Sequence, residues 1–417
     1  MQKWTLKEII KYAKKYSPYY RELYSKVSND ELTSLPIVDQ AVFWKSQVVT
    51  TESPDGIVFK SGGSTGAPKY SYFTHKEWES FCQAFGLGMS EGILENGDRV
   101  GNLFYVGDLY ASFLFIKDSL GNIPVEKTRL THFPIAGQTD HIQILKTLEE
   151  FNINVILGVP SAILTMFEKY AQDKNKFPKL KLEKILFGGE ALYDDQEKAL
   201  RNIFPNIQIS SIGCASVDGG LIGYSSKDCS HGEHRVFDGS NIIEIVDTET
   251  LEVITEKNKV GKILLTNLTR KLMPIIRYPA GDLAMWVEDE GVNDRKFKLQ
   301  GRSEEAARLG TLSVYFEDSR EMIMQALGDS SGIQFQMIIE HYDHLDQLTF
   351  KISGSDLGKM KNHSAEILKA FVKEKPGYND ILAKKLIHPL KIEFVEHNDL
   401  EANVRTGKLK RIIDRRF

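Results

Sequence analysis

Short apolar strands alternate with helical stretches between about Leu103 and Ile212, and this alternation limits the fold more than any other feature of the chain. The apolar runs are typical of buried strands, and the stretches between them have the length of helices. We predict strands at 154–158, 184–187 and 207–210, and helices at 162–172 and 194–204. Strand–helix–strand repetition of this kind predicts a parallel sheet covered by helices.

The pattern changes after Asn241, where strands follow one another without helices between them. Strands are predicted here at 242–246, 251–254, 261–266 and 284–287. Such a succession favours antiparallel pairing, so this region is expected to form a sandwich- or barrel-like β subdomain.

A third region begins near Arg302 and has the order strand, helix, strand, strand, helix, strand, at 312–315, 319–327, 333–342, 347–353, 364–373 and 390–395. This order is typical of a small α+β domain of the split-βαβ type. A chain of 417 residues is long enough for two or three domains. The sequence therefore predicts a large α/β N-terminal domain (1–302), with mostly parallel sheet plus an antiparallel β subdomain, and a small α+β C-terminal domain (303–417).

Composition and charge exclude several classes of protein. Hydrophobic residues make up 41% of the chain and charged residues 26%, as in ordinary globular proteins. The formal net charge is only −4, so no global field attracts nucleic acid or an anionic membrane, and any bound anion needs a local site. Cys82, Cys214 and Cys229 are too few and too scattered for a disulfide framework, which favours a reducing compartment.

The first residues of the chain predict a helix and not a targeting signal. Lysines interrupt residues 1–15, so no uninterrupted apolar stretch is available for a signal peptide. A surface helix is predicted from apolar residues on one helical face, namely Leu6, Ile9, Ile10 and Ala13. The longest apolar run, 155–167, is interrupted by glycine and proline and is too short to span a bilayer. We therefore expect a soluble, cytoplasmic protein with no membrane partner.

The strongest local motif is a Gly- and Ser-rich loop between Phe59 and Lys69. Its glycines leave backbone N–H groups free to approach an anion, and its hydroxyls add further donors. The residues predicted to cradle phosphate are Ser61, Gly62, Gly63, Ser64, Thr65 and Gly66, with Lys69 as a point charge. The spacing is not that of a Walker A loop. A flexible Gly/Ser linker is the less favoured alternative, because hydroxyls, Pro68 and Lys69 bound the loop in a definite order.

Residues 61–69 resemble the phosphate loop Thr-Ser-Gly-Thr-Thr-Gly-x-Pro-Lys of the adenylate-forming superfamily, which includes acyl-CoA synthetases and adenylation domains. Five further motifs follow in the order found in that family. The short segment before the loop, together with residues 134–137 and 158–161, resembles the phenylacetate-CoA ligase branch. The chain is shorter at its start than that branch, so part of the usual N-terminal region is expected to be missing or supplied by a partner subunit.

Two of the further motifs concern the base and the metal. Gly188, Gly189 and Glu190 resemble the Gly-Gly-Glu turn that binds adenine in the family, although an ordinary strand-to-helix turn would look the same. Asp218 stands where the family has a Glu that helps to bind magnesium and phosphate. Cys214 replaces the usual aromatic residue that stacks on adenine, and a solvated loop carboxylate is the alternative for Asp218.

The remaining motifs concern the ribose, the hinge and the catalytic lysine. Asp282 resembles the Asp that accepts hydrogen bonds from the ribose hydroxyls, and Arg302 is assigned to the nucleotide site. Glu304 matches the hinge before the mobile C-terminal domain, and the following segment around Gly310 is expected to serve the thiol step. Lys408 resembles the lysine that reaches the α-phosphate and the carboxylate; a basic tail is the alternative.

The resemblance implies a ligase that forms an acyl-adenylate from ATP and a small carboxylic acid and then a thioester with CoA. The implied cofactors are ATP, Mg²⁺ and CoA, and members of the branch are often homodimers. Two alternatives stay open. The acyl group could pass to the phosphopantetheine of a carrier protein or to a protein thiol, or the chain could be a degenerate nucleotide-binding scaffold.

The sequence also bears on the class of acid that is activated and on a possible zinc site. Aromatic residues after the phosphate loop favour an apolar or aromatic acid, namely Phe104, Tyr105, Tyr110 and Phe113. Cys229, His231 and His234 lie within six residues and could ligate zinc, but three ligands do not close a structural site. A hydrated surface turn is therefore favoured for this segment.

Overall fold

A computed structural model describes residues 3–51, 55–61, 69–137, 139–189, 192, 194–302, 306–310, 312–328, 334–353, 357–396, 399–401, 410 and 412–416. These residues fall into two compact units. The first comprises described residues up to Ser61 and from Lys69 to Gln300, and the second comprises those from Gly301 onwards.

The first unit contains the predicted parallel sheet, in the order β4-β3-β5-β6-β7. Its strands are β3 (Arg99–Asn102), β4 (Thr131–Pro134), β5 (Val155–Gly158), β6 (Lys184–Phe187) and β7 (Gln208–Ser211). All neighbouring pairs are parallel. Every residue of β5 is buried, which explains why this strand was readable as a continuous apolar run.

Helices accompany these strands, and three of them begin with residues that are typical of helix starts. They are α4 (His75–Ser90), α5 (Ser112–Gly121), α6 (His141–Glu150), α7 (Pro160–Gln172) and α8 (Asp194–Ile203). The Thr74 hydroxyl accepts from the Glu77 amide and the Glu77 carboxylate accepts from the Thr74 amide, a capping box that starts α4. Asp140 caps α6, and Pro160 occupies the first turn of α7.

The antiparallel region forms one seven-stranded sheet with the order β11-β12-β13-β14-β10-β9-β8. Its strands are β8 (Cys214–Ser216), β9 (Gly220–Tyr224), β10 (Glu233–Val236), β11 (Asn241–Val246), β12 (Gly261–Asn267), β13 (Tyr278–Trp286) and β14 (Lys296–Arg302). The predicted strand 251–254 is wrong: Val253 makes only an isolated bridge to Val246. Leu251 has a φ of +61°, so the chain turns there and cannot continue as an extended strand.

The N-terminal segment contains α1 (Leu6–Tyr16), α2 (Pro18–Leu23) and α3 (Gln40–Phe43). The helix predicted from Leu6 is confirmed, and it buries Ile9, Ile10 and Ala13. This segment packs against residues that lie far along the chain, because it shares a hydrophobic cluster with residues 268–278. The buried Tyr20 hydroxyl fixes that packing: it donates to the Pro274 carbonyl at 3.0 Å and accepts from the Ile276 amide at 3.1 Å.

An antiparallel hairpin, β1 (Gly56–Ser61) and β2 (Lys69–Thr74), precedes α4. Its last pair is Ser61 with Lys69, so the strands end at the two residues that flank residues 62–68. The phosphate-loop motif thus stands at the position of the hairpin connection.

The second unit has an α+β composition, as predicted. Its strands are β15 (Ala306–Leu309), β16 (Leu312–Tyr315), β17 (Gln334–Tyr342), β18 (Leu345–Ser353), β19 (Lys391–Phe394) and β20 (Ile412–Asp414). Its helices are α9 (Phe316–Leu327), α10 (Leu357–Lys361), α11 (Ser364–Glu374) and α12 (Gly377–Ala383). The main sheet has the order β19-β18-β17-β20, with an antiparallel central hairpin and parallel outer strands. The sequence missed β15, β20, α10 and α12.

Within the described part of the chain, no helix is both long enough and apolar enough to cross a membrane.

Candidate functional site

The base of the phosphate-loop hairpin is the starting point of the site. Ser61 and Lys69 are paired backbone to backbone across β1 and β2. The predicted phosphate-binding residues of the loop itself lie outside the described residues, namely Gly62, Gly63, Ser64, Thr65 and Gly66. The hairpin therefore brings Lys69 to the end of the motif, which is where its charge was expected.

The Lys69 side chain is held by two residues of the N-terminal segment. Its Nζ donates to Gln40 Oε1 at 3.3 Å and lies 5.5 Å from the centroid of the Trp44 ring, a cation–π arrangement. Gln40 is itself fixed, because its Nε2 donates to the Pro279 carbonyl at 2.6 Å. Helix α3, which the Asp39 carboxylate caps, places Gln40 and Trp44 at its two ends.

Asp218 lies in the turn between β8 and β9 and is half-buried. Its Oδ2 accepts from the Tyr278 hydroxyl at 2.9 Å, and that hydroxyl also accepts from Trp44 Nε1 at 3.1 Å. Burial by itself would raise the pKa of the Asp218 carboxyl, but the charge of Lys69 and the Tyr278 hydrogen bond outweigh it, and the pKa is lowered. Asp218 is therefore an ionised carboxylate at neutral pH, electrostatically coupled to Lys69.

The buried side chain of Arg270 stabilises the same turn through a hydrogen bond to its backbone. Its side chain is 1% exposed, and it donates to the Asp218 carbonyl at 2.7 Å and to the Tyr72 carbonyl at 3.1 Å. The guanidinium lies 4.0 Å from the centroid of the Phe73 ring. Burial lowers the pKa of Arg270 to about 10, against the raising effect of Glu77 and Asp218, so the group keeps its charge at neutral pH.

Sequence reasoning missed Gln40, Trp44, Arg270 and Tyr278 as members of this site. Tyr278 could have been identified from the sequence, because it lies inside the segment 277–283 that resembles the ribose motif. The other three gave no local signal, because their contacts to Lys69 or Asp218 join residues that are between 25 and 52 positions apart in the sequence.

The predicted adenine turn follows β6. A Cβ at Gly188 would lie 2.5 Å from Ile212 Cδ1, and Gly189 has a φ of +83°, so both positions favour glycine. Close packing against Ile212 is therefore a reason for glycine at position 188 that does not depend on any contact with adenine. Glu190 lies outside the described residues, and the adenine contact stays a prediction.

The predicted ribose residue, Asp282, lies on β13 and is half-buried. The preceding Gly281 has a φ of +81°, a conformation that glycine adopts without strain. Arg277, at the start of the same motif, has a structural role: it forms a buried bidentate ion pair with Glu244, with both nitrogen–oxygen distances at 3.0 Å.

Three predicted site residues, Arg302, Glu304 and Lys408, belong to the C-terminal part of the chain. Arg302 ends β14, and nothing is described of its side chain. Glu304 and Lys408 lie outside the described residues. Their roles as nucleotide contact, hinge and catalytic lysine remain predictions.

The two neighbours of the segment 402–409 are described, and one buried side chain holds both. Gln336, which is 0% exposed, donates from Nε2 to the carbonyls of Glu401 and Lys410, each at 2.6 Å. Its Oε1 accepts from the Glu401 amide at 3.0 Å. The Lys410 amide also donates to the Glu401 carbonyl at 2.9 Å, so the chain positions on either side of this segment are joined.

The zinc hypothesis finds no support in the positions of its three residues. Cys229 Sγ lies 3.2 Å from the Ser226 hydroxyl, His231 lies near Glu197, and His234 Nε2 lies 3.0 Å from the Ser211 hydroxyl. Among the described residues no group of three or more His, Cys, Asp or Glu side chains could hold a metal. The surface-turn interpretation is wrong for His234, which is 4% exposed on β10.

The aromatic residues proposed for the acid pocket differ in exposure. Phe104 is 3% exposed and belongs to the hydrophobic core, so it is a core residue first. Tyr110 is 37% exposed and closes a turn in which Asp108 and Leu109 have positive φ. The Lys60 amide donates to the Leu109 carbonyl at 2.9 Å, which ties this turn to the strand that enters the phosphate-loop motif.

No family model matches the chain. It is 23% identical over 432 residues to a phenylacetate-coenzyme A ligase of Aromatoleum evansii, covering 99% of this chain and 93% of that protein. It is 27% identical over 323 residues to an indoleacetate–lysine synthetase of Pseudomonas savastanoi, covering 74% of each. A solved 2-hydroxyisobutyryl-CoA ligase, in complex with 2-HIB-AMP and CoA, covers 98% of this chain and 88% of its own, with a TM-score of 0.71 and 17% identity. The resemblance drawn from the six motifs is thus confirmed: the chain is similar over nearly its whole length to phenylacetate-CoA ligases, and it has the adenylate-forming fold of its solved structural neighbours.

Proposed function

We propose that this protein uses ATP to convert a small carboxylic acid into an acyl-adenylate and pyrophosphate, and then transfers the acyl group to the thiol of CoA with release of AMP. The observation that carries the proposal is the coupling of Lys69 and Asp218 beside the phosphate-loop hairpin. Adenylation requires, at one place, a cation that binds phosphate and an ionised carboxylate that binds a metal ion. Similarity along nearly the whole chain to phenylacetate-CoA ligases supports the same reaction.

In this proposal each predicted residue has one task. The carboxylate of the acid attacks the α-phosphorus of ATP, and Lys69 with the loop residues 61–66 holds the phosphates. Asp282 accepts from the ribose hydroxyls, Arg302 contacts the nucleotide, and residues 188–190 receive the adenine. Lys408 neutralises the charge that develops between the carboxylate and the α-phosphate.

Magnesium fits the chemistry of Asp218. Mg²⁺ takes oxygen ligands from one or two carboxylates together with substrate phosphates, and Asp218 offers an ionised, half-buried carboxylate whose geometry Tyr278 fixes. When bound there, the ion would neutralise charge on the phosphates of ATP. The residues of this chain would hold the ion and orient the nucleotide.

The C-terminal domain, 303–417, is proposed to be mobile about Glu304. It would supply Lys408 for adenylation and then exchange it for the segment around Gly310 in the thiol step. The N-terminal domain, 1–302, would hold ATP and the acid throughout. A cytoplasmic location and a homodimer are further expectations from the sequence that accompany this proposal.

A second candidate acceptor is an amine. The relative with 27% identity carries the name indoleacetate–lysine synthetase, and the ε-amine of free lysine can attack an acyl-adenylate as a thiol does. A carrier-protein phosphopantetheine is the third acceptor, and it would need a separate partner protein. These alternatives share the first half-reaction and differ only in what attacks the adenylate.

The first experiment measures pyrophosphate release from ATP and Mg²⁺ with aromatic, fatty, short-chain and amino acids, each with CoA, with lysine, or with neither. Release that depends on one acid and rises with CoA supports the thioester ligase and names its acid. A rise with lysine instead supports the amide-forming alternative. Acid-dependent release that neither acceptor changes favours a carrier-protein acceptor. Bound ATP without release for any acid supports the scaffold alternative.

The catalytic role of Lys408 has a matched control two positions away. We expect Lys408→Ala to lower acid-dependent pyrophosphate release by about 10²-fold or more, because a preorganised charge at the reacting phosphate is lost. Lys410→Ala removes a charge of the same basic stretch whose Nζ already lies 3.4 Å from Glu401, and it should leave release within about twofold. Equal losses in the two variants would favour the basic-tail interpretation of this segment.

A further inference from the structure

The N-terminal segment contributes two side chains to the phosphate-binding lysine, although no motif marks it. Gln40 accepts from Lys69 Nζ, and the face of the Trp44 ring lies under the same nitrogen. Gln40 is the first residue of α3 and Trp44 follows its last; this helix of four residues is too short to be stable without tertiary contacts. The helix is fixed by its neighbours: Phe43, 0% exposed, packs its ring 5.3 Å from the Tyr278 ring, centroid to centroid.

The same segment reaches the carboxylate through a shared hydroxyl. Trp44 Nε1 donates to the Tyr278 hydroxyl, and that hydroxyl donates to Asp218 Oδ2. Because the indole N–H fills an acceptor position of the hydroxyl oxygen, the hydroxyl hydrogen is directed at the carboxylate. Trp44 thus contacts Lys69 with the face of its ring. With its indole N–H it orients the hydrogen bond from the Tyr278 hydroxyl to Asp218.

We propose that Gln40 and Trp44 are positioning residues that hold Lys69 and Asp218 in the geometry needed to bind the phosphates of MgATP. This inference rests on the proposed function and deepens it, since it assigns a task to the short N-terminal segment. A lysine side chain has four rotatable bonds and loses freedom when it binds a phosphate. Holding Lys69 in place before ATP arrives removes part of that loss from the binding step.

The test measures MgATP affinity by titration calorimetry and the KM for ATP by pyrophosphate release. Trp44→Leu removes both contacts, and we expect it to weaken MgATP binding and raise the KM about tenfold, with a smaller change in kcat. Trp44→Phe keeps a ring under Lys69 and loses only the N–H, so it should recover part of the affinity. Gln40→Leu should weaken binding about threefold to tenfold, because it removes one hydrogen bond to a charged group.

Trp286→Phe is the matched control. Like Trp44, Trp286 donates its Nε1–H, in this case to the Ile254 carbonyl at 3.0 Å, and lies near a cation, with the Arg295 guanidinium 4.3 Å from its ring centroid. It contacts neither Lys69 nor Asp218 in these interactions. The control should change stability alone and leave MgATP affinity within about twofold.

A double-mutant cycle decides whether Trp44 acts through Lys69. In a Lys69→Met background the further effect of Trp44→Leu on MgATP affinity should largely disappear, whereas independent effects would multiply. Unchanged affinity in Trp44→Leu, or multiplying effects, would overturn the inference.

The calorimetry also separates failure of the proposed ligase function from failure of the proposed roles of Gln40 and Trp44. Wild-type protein that binds MgATP but activates no acid contradicts the proposed ligase and leaves the affinity test of Trp44 in force, and protein that binds no MgATP contradicts both.

Discussion

His234 is a buried imidazole on a strand of the seven-stranded sheet. Its sequence neighbours Cys229 and His231 made it a candidate metal ligand, yet it lies buried on β10 against the Phe297 ring, with Nε2 beside the Ser211 hydroxyl. Burial lowers the pKa of His234 to about 4, so the imidazole is neutral in the folded protein throughout the physiological range. The consequence is a dependence of stability on pH.

The sign of that dependence follows from linkage. The unfolded chain takes up a proton at His234 near pH 6.5, while the folded chain resists protonation until about pH 4. The free energy of unfolding therefore falls as the pH drops from about 6.5 towards 4. Between pH 7.5 and pH 5 we expect wild type to lose about 2 kcal/mol more than His234→Gln, measured by urea unfolding. His231→Gln, at a side chain that is 44% exposed, is the control for replacing a histidine of the same segment, and it should keep most of the wild-type fall in stability. Parallel pH curves for wild type and His234→Gln would contradict this assignment.

At the scale of single elements, local sequence predicted the strands and helices whose apolar pattern is continuous, such as β5 and α1. It failed where an element depends on a distant partner. β20 has three residues and exists because it pairs with β17, and α10 and α12 are short helices. The site shows the same limit: Lys69 and Asp218 were named from motifs, but Gln40 and Trp44 reach them only after folding, and such contacts leave no local pattern.

Gln336 provides a test at this scale, because one side chain joins β17 to both neighbours of the segment 402–409. Replacing it by leucine removes three hydrogen bonds and leaves the Glu401 and Lys410 backbone groups without these partners. We expect Gln336→Leu to destabilise the second unit by about 2–4 kcal/mol and to speed amide exchange in β20. Gln347→Leu is the matched control, since this glutamine of neighbouring β18 donates to the Pro389 carbonyl, at 3.2 Å, in an exposed place. Equal effects in the two variants would show that Gln336 has no special role.

The whole molecule consists of two compact units, and the first contains every described residue of the Lys69–Asp218 site. Length allowed two or three domains, and the change of pattern near Arg302 predicted a boundary there. The division gives a prediction about function, because binding residues and the predicted catalytic lysine fall in different units.

A fragment of residues 1–302 tests that division. If the first unit folds alone, the fragment should unfold cooperatively and bind MgATP within about tenfold of the full chain, because Lys69, Asp218 and their supports are all present. It should release pyrophosphate at least about 10²-fold more slowly, since Lys408 is absent. The full-length Lys408→Ala variant is the control, and it should match the fragment. Full activity in the fragment would remove the C-terminal domain from the adenylation step.

The packing of the N-terminal helices on residues 268–278 also has a consequence during synthesis on the ribosome. Tyr20 hydrogen-bonds to Pro274, 254 positions later, so the aromatic faces of α1–α3 have no native partner while that stretch is being translated. At about 5–20 residues per second, this delay lasts on the order of ten to fifty seconds. During that time the nascent N-terminal segment exposes tyrosine and phenylalanine side chains to solvent, and its helices can dock only after residues 268–278 have been synthesised.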